Sequence, residues 1–224
     1  MPGQPLAPEP PATLHDSATQ TIWPAGAPLY RCHSKDLDAN TFNPKYGSGG
    51  RFHWFDDLSG VRIPVLYAAE SRRCAIYETI FHDIPIRGTR KFLRGSRLIG
   101  QQLSELVLAQ NTIVNLVELH DPGLLRLGLR PSQLTATNAN HYGRTVAWAQ
   151  ALHQQLPWAQ GLLWMSARLN TVKCLMLYGD RIESTGLRVV GTSMPLDGAT
   201  GSRYVQDLGR QAGIDVSRSW TAAP

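Results

Sequence analysis

The sequence predicts an α+β fold with a mixed-sheet core, on three observations. Strand-like runs rich in β-branched and aromatic residues come first, helical patterns stand between them, and further strand-like runs return after the longest helix. That order is not the regular strand–helix alternation of a doubly wound parallel sheet. At 224 residues, 42 % hydrophobic and 17 % charged, the chain is long and apolar enough for one domain with a core of its own. The same composition excludes a wholly disordered chain. Its longest apolar runs, such as 174–178, are about five residues, too short to span a membrane.

The elements follow in order. Residues 1–28 carry seven of the fifteen prolines and show neither a helical nor a strand period, which predicts a flexible arm. Residues 29–33 read as a short strand, and Gly49-Gly50 leads into a second strand-like run over 51–55. Residues 64–69 make a buried strand by their β-branched and aromatic content. A helix follows with Ser71 as its N-cap and Cys74, Ala75, Ile76, Tyr77, Ile80 and Phe81 as apolar members; Pro85 ends it. Residues 97–109 and 112–119 are strand-rich, and Asp121-Pro122 opens a short helix. A longer helix runs over 141–156, with Val146, Ala149, Leu152 and Leu156 on one stripe and Pro157 stopping it. Residues 161–166 and 172–178 return as strands. Beyond Gly179 the chain turns Gly- and Ser-rich, with one weak helix near 203–212. The expected organisation is an arm at 1–28, a catalytic domain at 29–182 and an extension at 183–224 that is part of, or packed on, that domain.

The net charge of +5 rests on 22 basic residues, of which 18 are Arg. Guanidinium forks suit phosphates and carboxylates, so this balance fits a nucleic acid or a small phosphorylated ligand equally. Cys32, Cys74 and Cys174 are scattered and odd in number, which argues against a disulfide framework or a zinc site. His15, His33, His53, His82, His120, His141 and His153 form no metal-ligand spacing, and no metal is expected. The first 30 residues contain no Lys or Arg, hence neither a secretory nor a transit signal, and the expected location is cytoplasmic.

Four positions stand out chemically. Glu78 falls among the apolar members of its helix, where a carboxylate costs several kcal/mol unless paired or hydrogen-bonded. It either reaches the rim or an Arg partner, or it is a carboxylate held in a pocket for catalysis. Arg31 and Arg51 each sit in strand-like apolar runs. Alternation makes a solvated face their default, and a pair of guanidiniums holding an anion in a cleft is the rival reading. Ser166 ends the apolar run 161–165, outside any nucleophile-elbow motif; such a hydroxyl bonds neighbouring backbone or a ligand at the sheet edge. Arg87, Arg90, Lys91, Arg94 and Arg97 form a basic stretch with Phe92 as its one aromatic, which reads as a solvated loop.

These residues lie in an order that resembles the RES-domain family, the toxin half of RES–Xre toxin–antitoxin pairs. The pieces are Leu29-Tyr30-Arg31, Gly49-Gly50-Arg51-Phe52, Val65-Leu66-Tyr67-Ala68-Ala69-Glu70 and Cys74-Ala75-Ile76-Tyr77-Glu78. After the long helix come Gly161-Leu162-Leu163-Trp164-Met165-Ser166-Ala167-Arg168 and Leu175-Met176-Leu177-Tyr178-Gly179-Asp180-Arg181. Each piece is short; six in order, over about two thirds of the chain, make the resemblance specific.

The resemblance implies a fold related to ADP-ribosyltransferase toxins and a toxin that depletes NAD. Such a toxin splits the nicotinamide–ribose bond with phosphate or water as acceptor, so NAD is a substrate, inorganic phosphate a co-substrate in the first case, and no cofactor is needed. Carried over by motif, the catalytic positions are Glu78, Arg51 and Ser166, and the NAD-binding positions are Arg31, Tyr30, Arg51, Tyr67, Glu78 and Ser166. Arg31 and Arg51 would hold the pyrophosphate, Tyr67 the nicotinamide–ribose half, and Glu78 the ribose and its developing charge. Ser166 would orient the substrate through its hydroxyl. An Xre-like antitoxin is the expected protein partner, covering the active site, in a homo-oligomer or a toxin–antitoxin hetero-oligomer. No membrane or direct nucleic-acid contact is expected. The alternatives are protein ADP-ribosylation from the same pocket and, from another class, a nucleic-acid-binding module using 87–97.

Overall fold

A computed structural model describes residues 6–217 of the protein apart from 48, 86, 89, 110–112 and 183. In chain order the first strands are β1 (Gln20–Trp23), β2 (Pro28–Ser34), β3 (Phe55–Asp56), β4 (Arg62–Ile63) and β5 (Val65–Ala69). Then come β6 (Lys91–Leu93), β7 (Gln101–Leu108), β8 (Val114–Glu118), β9 (Gly161–Met165), β10 (Lys173–Tyr178), β11 (Leu187–Pro195) and β12 (Ile214–Val216). The α-helices are α1 (Arg72–Thr79), α2 (Gly123–Arg126), α3 (Tyr142–Gln155) and α4 (Ala199–Gln211). Eight strands form one sheet in the order β1-β8-β9-β10-β5-β2-β7-β11. Only β8 and β9 run parallel, and the chain between them carries α2 and α3, the long crossover that a parallel pair requires. The α+β class and the mixed sheet agree with the sequence reading.

Period-two alternation sorts the core onto the two faces of this sheet. Along β5, Val65 and Ala69 join Cys74, Ile76, Phe81, Trp148, Trp164, Met176 and Val205 on the face covered by α1, α3 and α4. Leu66 and Ala68 point the other way, into a cluster with Trp23, Leu29, Phe42, Leu106, Leu163 and Leu175. No helix among the described residues is long and apolar enough to cross a membrane.

The structure differs from the sequence reading at the first end and chooses between its alternatives at the other. Residues 6–28 are not a free arm. Ala7 and Leu14 are buried in the α-covered core, and β1 adds to the sheet edge with Gln20 opposite Val117. Prolines lack an N–H to satisfy, so an irregular segment docks through its carbonyls. Trp148 Nε1 donates to the Pro8 carbonyl at 2.8 Å and Gln155 Nε2 to that of Pro11 at 3.1 Å, while Arg144 pairs with Glu9. At the other end, β11 belongs to the central sheet and α4 buries Val205 and Leu208 in the core, so the extension is part of the domain rather than packed on it.

Two local readings also change. Arg51 and Phe52 lie in a turn rather than a strand, because Gly49 takes φ +75° and the Phe52 N–H is satisfied by the Tyr67 hydroxyl at 2.6 Å. The basic stretch is not wholly a loop: its β6 pairs in parallel with β12 and buries Leu93, leaving Phe92 half exposed.

Leu14 is 1 % exposed. Truncating it to Ala is expected to cost about 2–5 kcal/mol in urea denaturation, where a flexible arm would give no change. His33 on β2 is buried between the Ser34 carbonyl and Ser104 Oγ, each 2.8 Å away, and burial lowers its pKa. The stability this contributes is complete above the unfolded value of about 6.5 and is lost as pH falls through the lower folded one. Denaturation between pH 7.5 and 5 is therefore expected to show a steeper loss in the wild type than in His33→Gln.

Candidate active site

The site starts from α1. Ser71 in extended conformation caps the helix, its Oγ accepting from Cys74 N at 3.1 Å, and this sets which face meets the sheet. Cys74 to Tyr77 are buried against the core. Glu78, one turn beyond Cys74 on the same side, is left half-buried at the helix end. Ser166, one residue past β9, is 1 % exposed and donates from Oγ to Glu78 Oε1 at 2.5 Å. The same Oγ accepts from Leu169 N at 2.8 Å and Arg168 N at 3.1 Å, and Arg168 N also lies 3.3 Å from Glu78 Oε1.

A hydroxyl has one proton and two lone pairs, and all are committed here to Glu78 and to the turn. In this arrangement Ser166 holds the Glu78 carboxylate in place. Glu78 for its part has no Arg side-chain partner among the described residues; its charge is held by a hydroxyl and a backbone N–H.

Arg51 is 7 % exposed, not on a solvated face. It makes no ion pair among the described residues. One Nη reaches the Thr137 carbonyl at 3.5 Å, and Nε is buried with no partner. The Arg51 carbonyl accepts from the Thr145 hydroxyl, which fixes the backbone and leaves the guanidinium under-bonded. Tyr67 lies alongside. Its pKa is raised by burial, against the Phe52 N–H bond and the Arg51 charge, and Glu78 adds to the rise. Its ring meets Trp164 edge-on at 5.9 Å, as Phe52 does at 5.2 Å. Gly50 permits this approach, since a Cβ there would stand 3.2 Å from the Tyr67 hydroxyl. Arg51, Tyr67, Glu78 and Ser166 are thus gathered on the α-covered face.

Arg31 and Tyr30 are placed apart from them. Arg31, 6 % exposed, shares the face of Leu29, opposite the α-covered one, and donates from Nη1 to the Ala39 and Thr41 carbonyls at 2.7 and 2.6 Å. Burial brings its pKa down to about 10, with Cys32 opposing. Strands β2 and β5 share a single pair, Tyr30 opposite Ala69, and then diverge; Asn43 bridges to Val65 farther along the β5 edge. Arg31 stands at the start of this split. Tyr30 packs toward α1, with the Arg72 guanidinium 5.5 Å over its ring. No hydrogen bond or ion pair among the described residues joins Arg31 or Tyr30 to the Glu78 group.

The sequence reading missed Arg168, Thr145 and Tyr142. The Arg168 guanidinium donates to the Ile84 carbonyl at 2.9 Å and to that of His82, and the Tyr142 hydroxyl lies 3.4 Å from His82 Nε2. Thr145 gives a signal in retrospect, as a hydroxyl on the buried stripe of α3 with Trp148, Ala149 and Leu152.

A buried, under-bonded guanidinium weighs against folding. Arg51→Met is therefore expected to hold or raise stability, by about 1 kcal/mol or more, in thermal denaturation. A marked fall would make the guanidinium a structural element.

With this geometry in place, comparison with known proteins gives one result of substance. The family model for the RES domain matches residues 28–197. No curated protein matches. The matched stretch runs from the first residue of β2 past the end of β11 and contains Tyr30, Arg31, Arg51, Tyr67, Glu78 and Ser166. The chain belongs to the RES domain family, which is known from toxin–antitoxin systems and associated with enzymes that act on NAD.

Proposed function

We propose that the protein is the toxin of a toxin–antitoxin pair and depletes NAD by breaking its nicotinamide–ribose bond, with phosphate or water as acceptor. The observation that carries this reading is a carboxylate fixed by Ser166 at 2.5 Å on the same sheet face as a buried guanidinium that has no carboxylate partner among the described residues. A fixed negative charge suits an oxocarbenium-like ribose carbon, and a preformed cation suits the pyrophosphate or an incoming phosphate.

In this mechanism Glu78 bonds the ribose hydroxyls and stabilises positive charge at the anomeric carbon as the C–N bond breaks. Nicotinamide leaves with the bonding electron pair as a neutral molecule. A phosphate or water oxygen then bonds that carbon, and the acceptor's proton goes to solvent. Arg51 holds phosphoryl oxygen, and Tyr67 lines the nicotinamide–ribose half. Arg31 would act from behind the sheet, its Nη1 bonds to the Ala39 and Thr41 carbonyls shaping the segment beside β5 while its charge favours the pyrophosphate. An Xre-like antitoxin would cover this face in the resting pair.

Product analysis with purified protein and NAD, with and without inorganic phosphate, tests the proposal. Free nicotinamide is expected in both reactions. ADP-ribose-1″-phosphate in the presence of phosphate identifies a phosphorylase, and ADP-ribose in both a glycohydrolase. Glu78→Gln keeps the side-chain size and an acceptor for Ser166, so it should lose turnover by about 100-fold or more with its circular dichroism unchanged. No nicotinamide from folded, antitoxin-free wild type would end this reading.

A further inference from the structure

Glu78 is the penultimate residue of α1, in a turn whose free carbonyls form the negative end of the helix. A carboxylate is disfavoured there, and the last turn of α1 carries no basic residue of its own. The compensating cation arrives from the turn after β9. Both Nη groups of Arg168 are spent on main-chain carbonyls just past α1, those of His82 and Ile84, and Arg168 makes no ion pair with a carboxylate among the described residues. On its other side, the Arg168 backbone N–H meets Glu78 Oε1 and Ser166 Oγ at 3.3 and 3.1 Å.

From this arrangement we infer that Arg168 is a positioning residue for the Glu78 carboxylate. It ties the 82–84 turn to the Ser166 turn and places a positive charge at the helix end that carries Glu78. The inference rests on the NAD-cleaving reading above and adds a residue to it. The two contributions of Arg168 are separable. Gln, Lys and Ala at 168 all supply the backbone N–H, so these substitutions remove only the tie and, except for Lys, the charge. With each Nη turned onto a main-chain carbonyl, the guanidinium acts on catalysis through Glu78 and not by touching NAD. The 82–84 turn is anchored on its far side as well, where His82 Nε2 lies near the Tyr142 hydroxyl of α3. Loosening the tie therefore frees the end of α1 while α3 stays in place.

Initial rates of nicotinamide release over a range of NAD concentrations, for full-length wild type, Arg168→Gln, Arg168→Lys and Arg168→Ala, test this. Arg168→Gln is expected to lower kcat by about 10- to 100-fold and to leave KM within about twofold. Arg168→Lys should recover part of the loss by restoring the charge, and added guanidinium ion should partly rescue Arg168→Ala. Wild-type kcat in Arg168→Gln, or a raised KM at unchanged kcat, overturns the inference while leaving the NAD reading intact. If Arg168→Lys has lost its circular dichroism along with its activity, Arg168 is a folding residue and the inference fails. Wild type that releases no nicotinamide removes the NAD reading, and this inference with it.

Discussion

Strand β10 is hydrogen-bonded along both edges, and the placement of the candidate site follows from its register. Cys174 stands opposite Ala69 of β5 on one side and Trp164 of β9 on the other. The helix bearing Glu78 begins three residues after Ala69, and Ser166 follows two residues after Trp164. Glu78 and Ser166 meet because both are measured from the same strand. The ladder extends past the named strands, with Glu70 N donating to the Lys173 carbonyl and Ser166 N to that of Val172, each at 2.9 Å. A one-residue slip of β9 would carry Ser166 to the other face and remove the only side-chain donor that Glu78 has among the described residues. The thiols of Cys74 and Cys174, buried and 3.4 Å apart, pack α1 directly onto β10 at this level.

The two buried arginines divide the cost of desolvation differently. Arg31 offsets its burial with two short bonds to carbonyls, and in doing so organises the segment that reaches the β5 edge at Asn43. Arg51 has one long bond and an orphaned Nε. Loop backbone around it is well satisfied, by Thr145 at its carbonyl and by Tyr67 at the next N–H. The protein thus spends its hydrogen bonds on holding the guanidinium in place and few on neutralising it, the distribution expected where charge is kept for a ligand.

The sequence made legible what local chemistry determines. The Ser71 cap, the apolar face of α1, the stripe of α3 and the β-branched content of β5 each act within a few residues, and each element stands where its signal lies. The docking of 6–18 and the strands β1, β11 and β12 depend on partners far along the chain. Leu14 N bonds Gln155, and β11 holds its register with β7 across a bulge between Val190 and Met194, so no local period marks them. At the site, the conflict between Glu78 and its apolar neighbours was visible, whereas its resolution by Ser166 was not. The side of the sheet taken by Arg31 follows from alternation along β2, but the faces of that strand carry meaning only once α1 is known to cover Tyr30 and Cys32.

The docking of the first residues has a consequence for how the chain is made. Strand β1 waits for β8, Leu14 waits for α3, and Glu78 has no oriented carboxylate until β9 and its turn have been synthesised and β10 has closed beside them. Contacts of such wide sequence separation form late, because a long stretch of chain must be ordered before any of them is gained. On a translating ribosome the polypeptide therefore emerges with its carboxylate and its guanidinium already exposed but not yet arranged, and the constellation appears only once β10 has followed β9 out. Nascent fragments released before β9 would carry Glu78 and Arg51 without the geometry that brings them together.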